Sequence, residues 1–210
     1  ARVAHVHMAE QDRAEAENGE FPPPPVGQVR VRLLNETACA DLRGPTACEG
    51  LTPAEVHAVL RRLHESGLKV GTAESCTGGL LASLFTDVPG YGHVFESGLV
   101  VYTDAAKQRL LGVDPRLIAE HGAVSRVIAV IMAENLFARA EIDLALAITG
   151  FAGRAGADDE PGLVYLARAG RGQPTVCREE HFGDIGRGAT RLKCIEAAVA
   201  LLEDGLPPSA

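Results

Sequence analysis

The residues best suited to chemistry lie in the stretch Thr72-Ala73-Glu74-Ser75-Cys76-Thr77-Gly78-Gly79, between a short apolar segment around Leu68 and Val70 and an apolar run over 80–86. That order predicts a strand turning into a helix through two glycines. Ser75 and the backbone N–H groups near Gly78 and Gly79 then stand at a helix N-terminus, where unpaired donors and the helix dipole favour an oxyanion or a phosphate. A serine hydroxyl is a poor nucleophile at neutral pH until a base takes its proton, and a lysine made neutral by burial can do that. Lys107 is the candidate base. Tyr102, five positions earlier, is placed to relay the proton or orient the base, while the N–H groups of the turn would stabilise a tetrahedral oxyanion. Each residue also has a plainer explanation: an ordinary turn capped by Ser75 or Thr77, a solvent-exposed lysine at a helix start, a core tyrosine with its hydroxyl at the surface.

For these side chains to meet, the chain must deliver them to one end of a sheet. Thr52-Pro53-Ala54-Glu55 is a capping box with proline at the first helical position, and Leu51 can staple onto Val56. Val56, Val59, Leu60 and Leu63 share one helical face and Gly67 is a C-terminal stop, which sets a domain boundary near residue 50. After the Ser75 helix, Pro89-Gly90-Tyr91-Gly92 breaks the chain, and Gly98-Leu99-Val100-Val101-Tyr102 reads as a strand buried on both faces. Thr103 or Asp104 caps a short helix with Lys107 in its first turn. Asp114-Pro115 opens a helix closed by Gly122, Ser125 caps a longer one to about residue 140, and 143–148 is a third core strand. Residues 163–167 and 175–182 form a hairpin around 170–173, and a last helix over 188–202 carries Leu192, Ile195, Val199 and Leu202 on one face. Strands alternating with helices, plus one hairpin, predict an α/β fold: a three-layer α/β/α sandwich with a mixed sheet.

The 210 residues, 46% hydrophobic and 23% charged, suffice for one sizeable core. The formal net charge of −8 argues against nucleic acid as a partner, and any phosphate must be held by local arginines or helix N-termini. No apolar run approaches membrane-spanning length and no signal-peptide pattern opens the sequence, so the expectation is a cytoplasmic protein without membrane contact. The five cysteines, Cys39, Cys48, Cys76, Cys177 and Cys194, include no CxxC pair and read as reduced thiols. His5 and His7 read as a solvated pair, and no metal is expected. Residues 1–50, polar and then proline-rich at Pro22-Pro23-Pro24-Pro25, predict a disordered or extended segment with one short strand-like run at 28–33. Residues 205–210 read as a tail.

The Ser75 octet resembles the signature of the CinA C-terminal domain family, the nicotinamide mononucleotide deamidases. Three further blocks match in order: Val88-Pro89-Gly90 with Phe95 and Gly98 leading into Val100-Val101-Tyr102-Thr103-Asp104-Ala105-Ala106-Lys107, then Gly122-Ala123-Val124-Ser125, then Ile148-Thr149-Gly150-Phe151-Ala152-Gly153. The resemblance covers about residues 51–204 and nothing before them. It implies hydrolysis of a nicotinamide carboxamide to a carboxylate and ammonia, without cofactor or metal, by a serine with lysine and tyrosine support at Ser75, Lys107 and Tyr102. It further implies substrate contacts from Thr77, Gly78, Gly79, Thr149 and Gly150, a phosphate contact from Arg187, and a homodimer. The chain departs from the family where relatives carry a serine near Gly92, an asparagine at Asp104, a proline in the loop Gly153-Arg154-Ala155-Gly156 and a lysine near Glu160. A non-catalytic nucleotide-binding module on the same fold and a general serine hydrolase are the rival expectations.

Overall fold

The computed structural model describes residues 51–207 apart from 154, 155, 157 and 158. The chain divides into one unit of residues 1–47 and another of 48–210. The expected N-terminal segment with its short strand, Cys39, Cys48 and Arg154 lie outside the described residues. Helix α1 (Pro53–Glu65) begins at the expected capping box, in which the Glu55 amide donates to the Thr52 hydroxyl at 3.3 Å and the Thr52 amide donates to the Glu55 carboxylate at 2.6 Å. It is followed by β1 (Val70–Glu74), α2 (Leu80–Thr86), a single 3-10 turn (Gly92–Val94), β2 (Phe95–Val100), α3 (Asp104–Leu111), α4 (Pro115–His121) and α5 (Arg126–Arg139). The chain continues through β3 (Leu144–Gly150), β4 (Leu163–Gly170), β5 (Gln173–His181) and α6 (Arg187–Glu203). Side-chain oxygens of Thr103, Asp114 and Ser125 accept amides two or three residues ahead and so start α3, α4 and α5.

The strand order is β2-β1-β3-β4-β5, with β2, β1 and β3 parallel and the β4–β5 hairpin antiparallel. The two-residue period of the strands sorts the core by size. Leu144, Leu146 and Ile148 point to the face covered by α1, α2 and α6, whereas Ala145, Ala147, Ala167 and Ala169 point to the other, where α5 lies against them with Ile128, Met132 and Leu136. Small residues let α5 approach closely, and large ones fill the wider gap opposite. This is the expected three-layer sandwich with a mixed sheet. Arg62 of α1 donates to the carbonyl of Pro207 at 2.9 Å, tying the first helix to the end of the described chain.

Three expectations need correction. The second strand is not buried on both faces: it is the edge of the sheet, and its side chains alternate between half-buried and exposed. An apolar run says that a strand forms but not how many neighbours it acquires. Leu192 on α6 is exposed rather than part of the buried stripe. Gly205 and Leu206 are buried with the core and belong to the domain, not to a tail. No helix among the described residues is long and apolar enough to cross a membrane.

Candidate active site

Glu74, the last residue of β1, lies opposite Val100, the last residue of β2. The segments that follow therefore emerge side by side at the carboxyl edge of the parallel strands, where open α/β sheets bind ligands. The Ser75 amide donates to the Ile148 carbonyl at 3.0 Å and the Val101 amide donates to the Glu74 carbonyl at 2.7 Å, so the backbone at Ser75 is tied to the chain on each side. The chain then reverses into α2 through Gly78 and Gly79 at φ +65° and +91°, left-handed values that cost a side chain energy and glycine little.

Lys107 reaches this edge from the first turns of α3. Its Nζ lies 3.2 Å from Ser75 Oγ, 3.0 Å from the Val101 carbonyl and 3.4 Å from the Tyr102 carbonyl. Lys107 is 1% exposed and Ser75 7%. Burial pushes the lysine pKa down, opposed by the negative charge of Asp104 and, more weakly, by Cys76. An ammonium would donate to all three oxygens. The neutral amine has two N–H groups, which suit the two carbonyls, and one lone pair left facing Ser75. The expected dyad is thus brought together in a geometry that can deprotonate serine.

The other candidates fall differently. Tyr102 is 59% exposed and meets Lys107 through its backbone carbonyl, not through a relaying hydroxyl. The expected oxyanion donors at Gly78 and Gly79 are already engaged: the Gly78 amide donates to the Ser75 carbonyl at 3.2 Å and the Gly79 amide to the Glu74 carboxylate at 3.0 Å. The Thr77 hydroxyl, by contrast, is buried and has no hydrogen-bond partner among the described residues. Thr149 is fully buried and donates to the Ala123 carbonyl at 2.8 Å, so its hydroxyl holds the loop between α4 and α5. Gly150 is a packing requirement, since a Cβ there would come within 2.7 Å of Val164 on β4.

Arg187 is exposed as the first residue of α6, not a residue before it, and a Cβ on Gly153 would stand 3.8 Å from its guanidinium. One turn further, Arg191 donates from Nε to the Cys76 carbonyl at 2.7 Å, and its guanidinium would lie 3.6 Å from a Cβ on Gly78. Spacing of four on α6 puts both arginines on one face above the turn and the loop after β3. Arg191, like Arg154, is the alternative to Arg187 that the sequence offers for the phosphate. Glu74 has no place in the site by sequence alone, and only the fold identifies it.

Relatives carry the same domain. The CinA C-terminal domain family matches residues 54–206. A CinA-like protein of Akkermansia muciniphila is 42% identical over 160 residues, covering 71% of this chain and 39% of the relative. A CinA-like protein of Parasynechococcus marenigrum is 39% identical over 90% of this chain and 50% of its own length. The chain therefore spans half or less of these relatives. Among solved structures, the competence/damage inducible protein of Agrobacterium tumefaciens is 39% identical with a TM-score of 0.68, over 73% of this chain and 97% of that one. A CinA superfamily protein of Enterobacter cloacae is 32% identical with a TM-score of 0.69, over 79% and 98%. With this fold, this turn and this lysine, the chain belongs to the CinA C-terminal domain family.

Proposed function

We propose that the domain is an amidohydrolase that converts nicotinamide mononucleotide to nicotinate mononucleotide and ammonia. The observation that carries this reading is the 3.2 Å approach of a 1% exposed lysine amine to the hydroxyl of Ser75. Ser75 Oγ attacks the carboxamide carbon as its proton passes to Lys107 Nζ, and the carbonyl oxygen becomes the tetrahedral oxyanion. As the intermediate collapses, its NH2 group takes the proton back from Lys107 and leaves as ammonia, with an acyl ester remaining on Ser75. Water, deprotonated by the same amine, cleaves the ester to the carboxylate and restores the serine. Arg187 and Arg191 on one face of α6 supply the charge for the substrate phosphate. The chemistry calls on no cofactor and suits a cytoplasmic homodimer acting on a free nucleotide.

The test is ammonia release from nicotinamide mononucleotide by the purified chain, with binding followed in parallel. Turnover that disappears in Ser75→Ala while binding persists is the expected result. Tight binding without turnover in the wild type would favour the non-catalytic module. Acylation of Ser75 by simple activated esters without amide turnover would favour a general serine hydrolase.

A further inference from the structure

We propose that Glu74 is a positioning residue for Ser75: its buried carboxylate occupies the start of α2 as a built-in anion and so fixes the turn that carries the nucleophile. The proposal rests on the Ser75–Lys107 reading above. Glu74 is 1% exposed and, like Thr72 two residues earlier, faces the layer that holds α2. Its Oε2 accepts the amides of Gly79 at 3.0 Å and Leu81 at 3.1 Å. Its Oε1 accepts the amide of Ala82 at 2.9 Å and the Thr72 hydroxyl at 3.3 Å. A carboxylate has about four lone-pair sites, and all of them are used.

Two consequences follow from that saturation. The brace runs from the residue before Ser75 to the first turn of the next helix, so residues 75–78 form a short arch fixed at both ends, with Arg191 holding the Cys76 carbonyl from above. A nucleophile held this way keeps its line to Lys107, and displacement by about 1 Å is enough to cost roughly 100-fold in rate. The same brace closes the start of α2 to anions. A substrate phosphate has no free amides there and must bind elsewhere, on the side of Arg187 and Arg191.

Glu74→Gln retains one acceptor oxygen but turns an NH₂ group towards amides that can only donate. In the ammonia assay we expect kcat to fall by about 10- to 100-fold while KM and the pH at which activity rises stay near wild type. Glu74→Ala leaves a small cavity lined by three amides, and formate should enter it and restore the rate saturably, at least tenfold. Wild-type kcat in Glu74→Gln would overturn the proposal, as would a folded Glu74→Ala whose rate formate leaves unchanged. Should Glu74→Ala fail to fold, the split between kcat and KM in Glu74→Gln decides. If the wild type releases no ammonia, the deamidase reading fails by itself. The Glu74 comparison is then made on the rate of Ser75 acylation by p-nitrophenyl acetate, with Ser75→Ala as the blank.

Discussion

Lys107 and Arg168 are both withdrawn from water, at 1% and 6% exposure, in opposite halves of one sheet. Lys107 follows β2 in the parallel half, and its amine is surrounded by a hydroxyl and two carbonyls. Arg168 stands in β4 of the antiparallel half, where its guanidinium lies so close to Gly205 that a Cβ there would overlap it and where one terminal nitrogen has no hydrogen-bond partner among the described residues. A buried lysine can shed its proton and become a base, whereas a buried arginine stays charged. Similar burial thus leaves an amine able to act as a base in one half and serves packing against the residues after α6 in the other.

The largest effect that separates the two should be on turnover. Ser75→Ala and Lys107→Ala are each expected to lower kcat by roughly three orders of magnitude or more, and the double variant should be little worse than either, because the two residues act as one unit. Arg168→Ala should leave kcat per folded molecule close to wild type. A Lys107→Ala enzyme that kept near-normal turnover and the same pH dependence would end the distinction.

Stability should reverse the ranking. Gly205→Ala forces a methyl group into the Arg168 guanidinium and should destabilise the domain by about 1–3 kcal/mol in a denaturant melt. Lys107→Met should instead raise the melting temperature at neutral pH. Burial lowers the lysine pKa, so between that value and the ordinary lysine pKa the folded state holds fewer protons than the unfolded chain, and stability rises with pH through the window. The methionine variant should lose this rise, which melts at several pH values would reveal.

A smaller effect tests what sets the lysine. Asp104 supplies the leading charge that opposes burial at Lys107. Asp104→Asn should move the rising limb of the rate profile to lower pH. An unmoved limb would mean that Lys107 is not the titrating base.

The smallest effect belongs to the antiparallel half. His181 is placed 2.7 Å from Glu160 and 3.2 Å from Glu179, and Glu160 chiefly holds its pKa above the ordinary value. Its contribution is full below the ordinary histidine pKa and fades as pH rises through the raised one. His181→Gln should lower the melting temperature slightly at acidic pH and not at alkaline pH, with turnover unaffected. Glu160 thus has a local role in tying down the loop after β3.

Much of this was legible in the residues. A capping box, single side-chain caps and glycine stops marked most helices to within a residue or two, because those signals are local. Ser75 and Lys107 could be paired because a strand-to-helix turn and a capped helix start put both at one sheet edge, and the family resemblance named the same residues. The errors came from groups whose partners are distant in the chain or depend on strand order. The amide of Gly79 was visible as a donor, but its capture by the Glu74 carboxylate depends on which face of β1 that side chain takes. Thr149 was visible as a hydroxyl, but its acceptor lies 26 residues away at Ala123. Tyr102 was visible as a hydroxyl able to relay the proton or orient the base, but it lies two residues past the end of β2, with its side chain 59% exposed.

The contact between Arg62 and Pro207 places the two ends of the domain on the same side of the sheet. From Arg62 to the start of α1 is on the order of 15 Å along the helix axis, a gap that five or six extended residues can span. The domain should therefore tolerate circular permutation, with residue 207 joined to residue 51 by a short flexible linker and new termini opened between Arg171 and Gly172 in the β4–β5 turn. Such a permutant keeps Ser75, Lys107 and Glu74 on an unbroken stretch of chain. The same closeness of ends makes the fold a module that can be carried within a longer polypeptide without strain on the edge that holds Ser75 and Lys107.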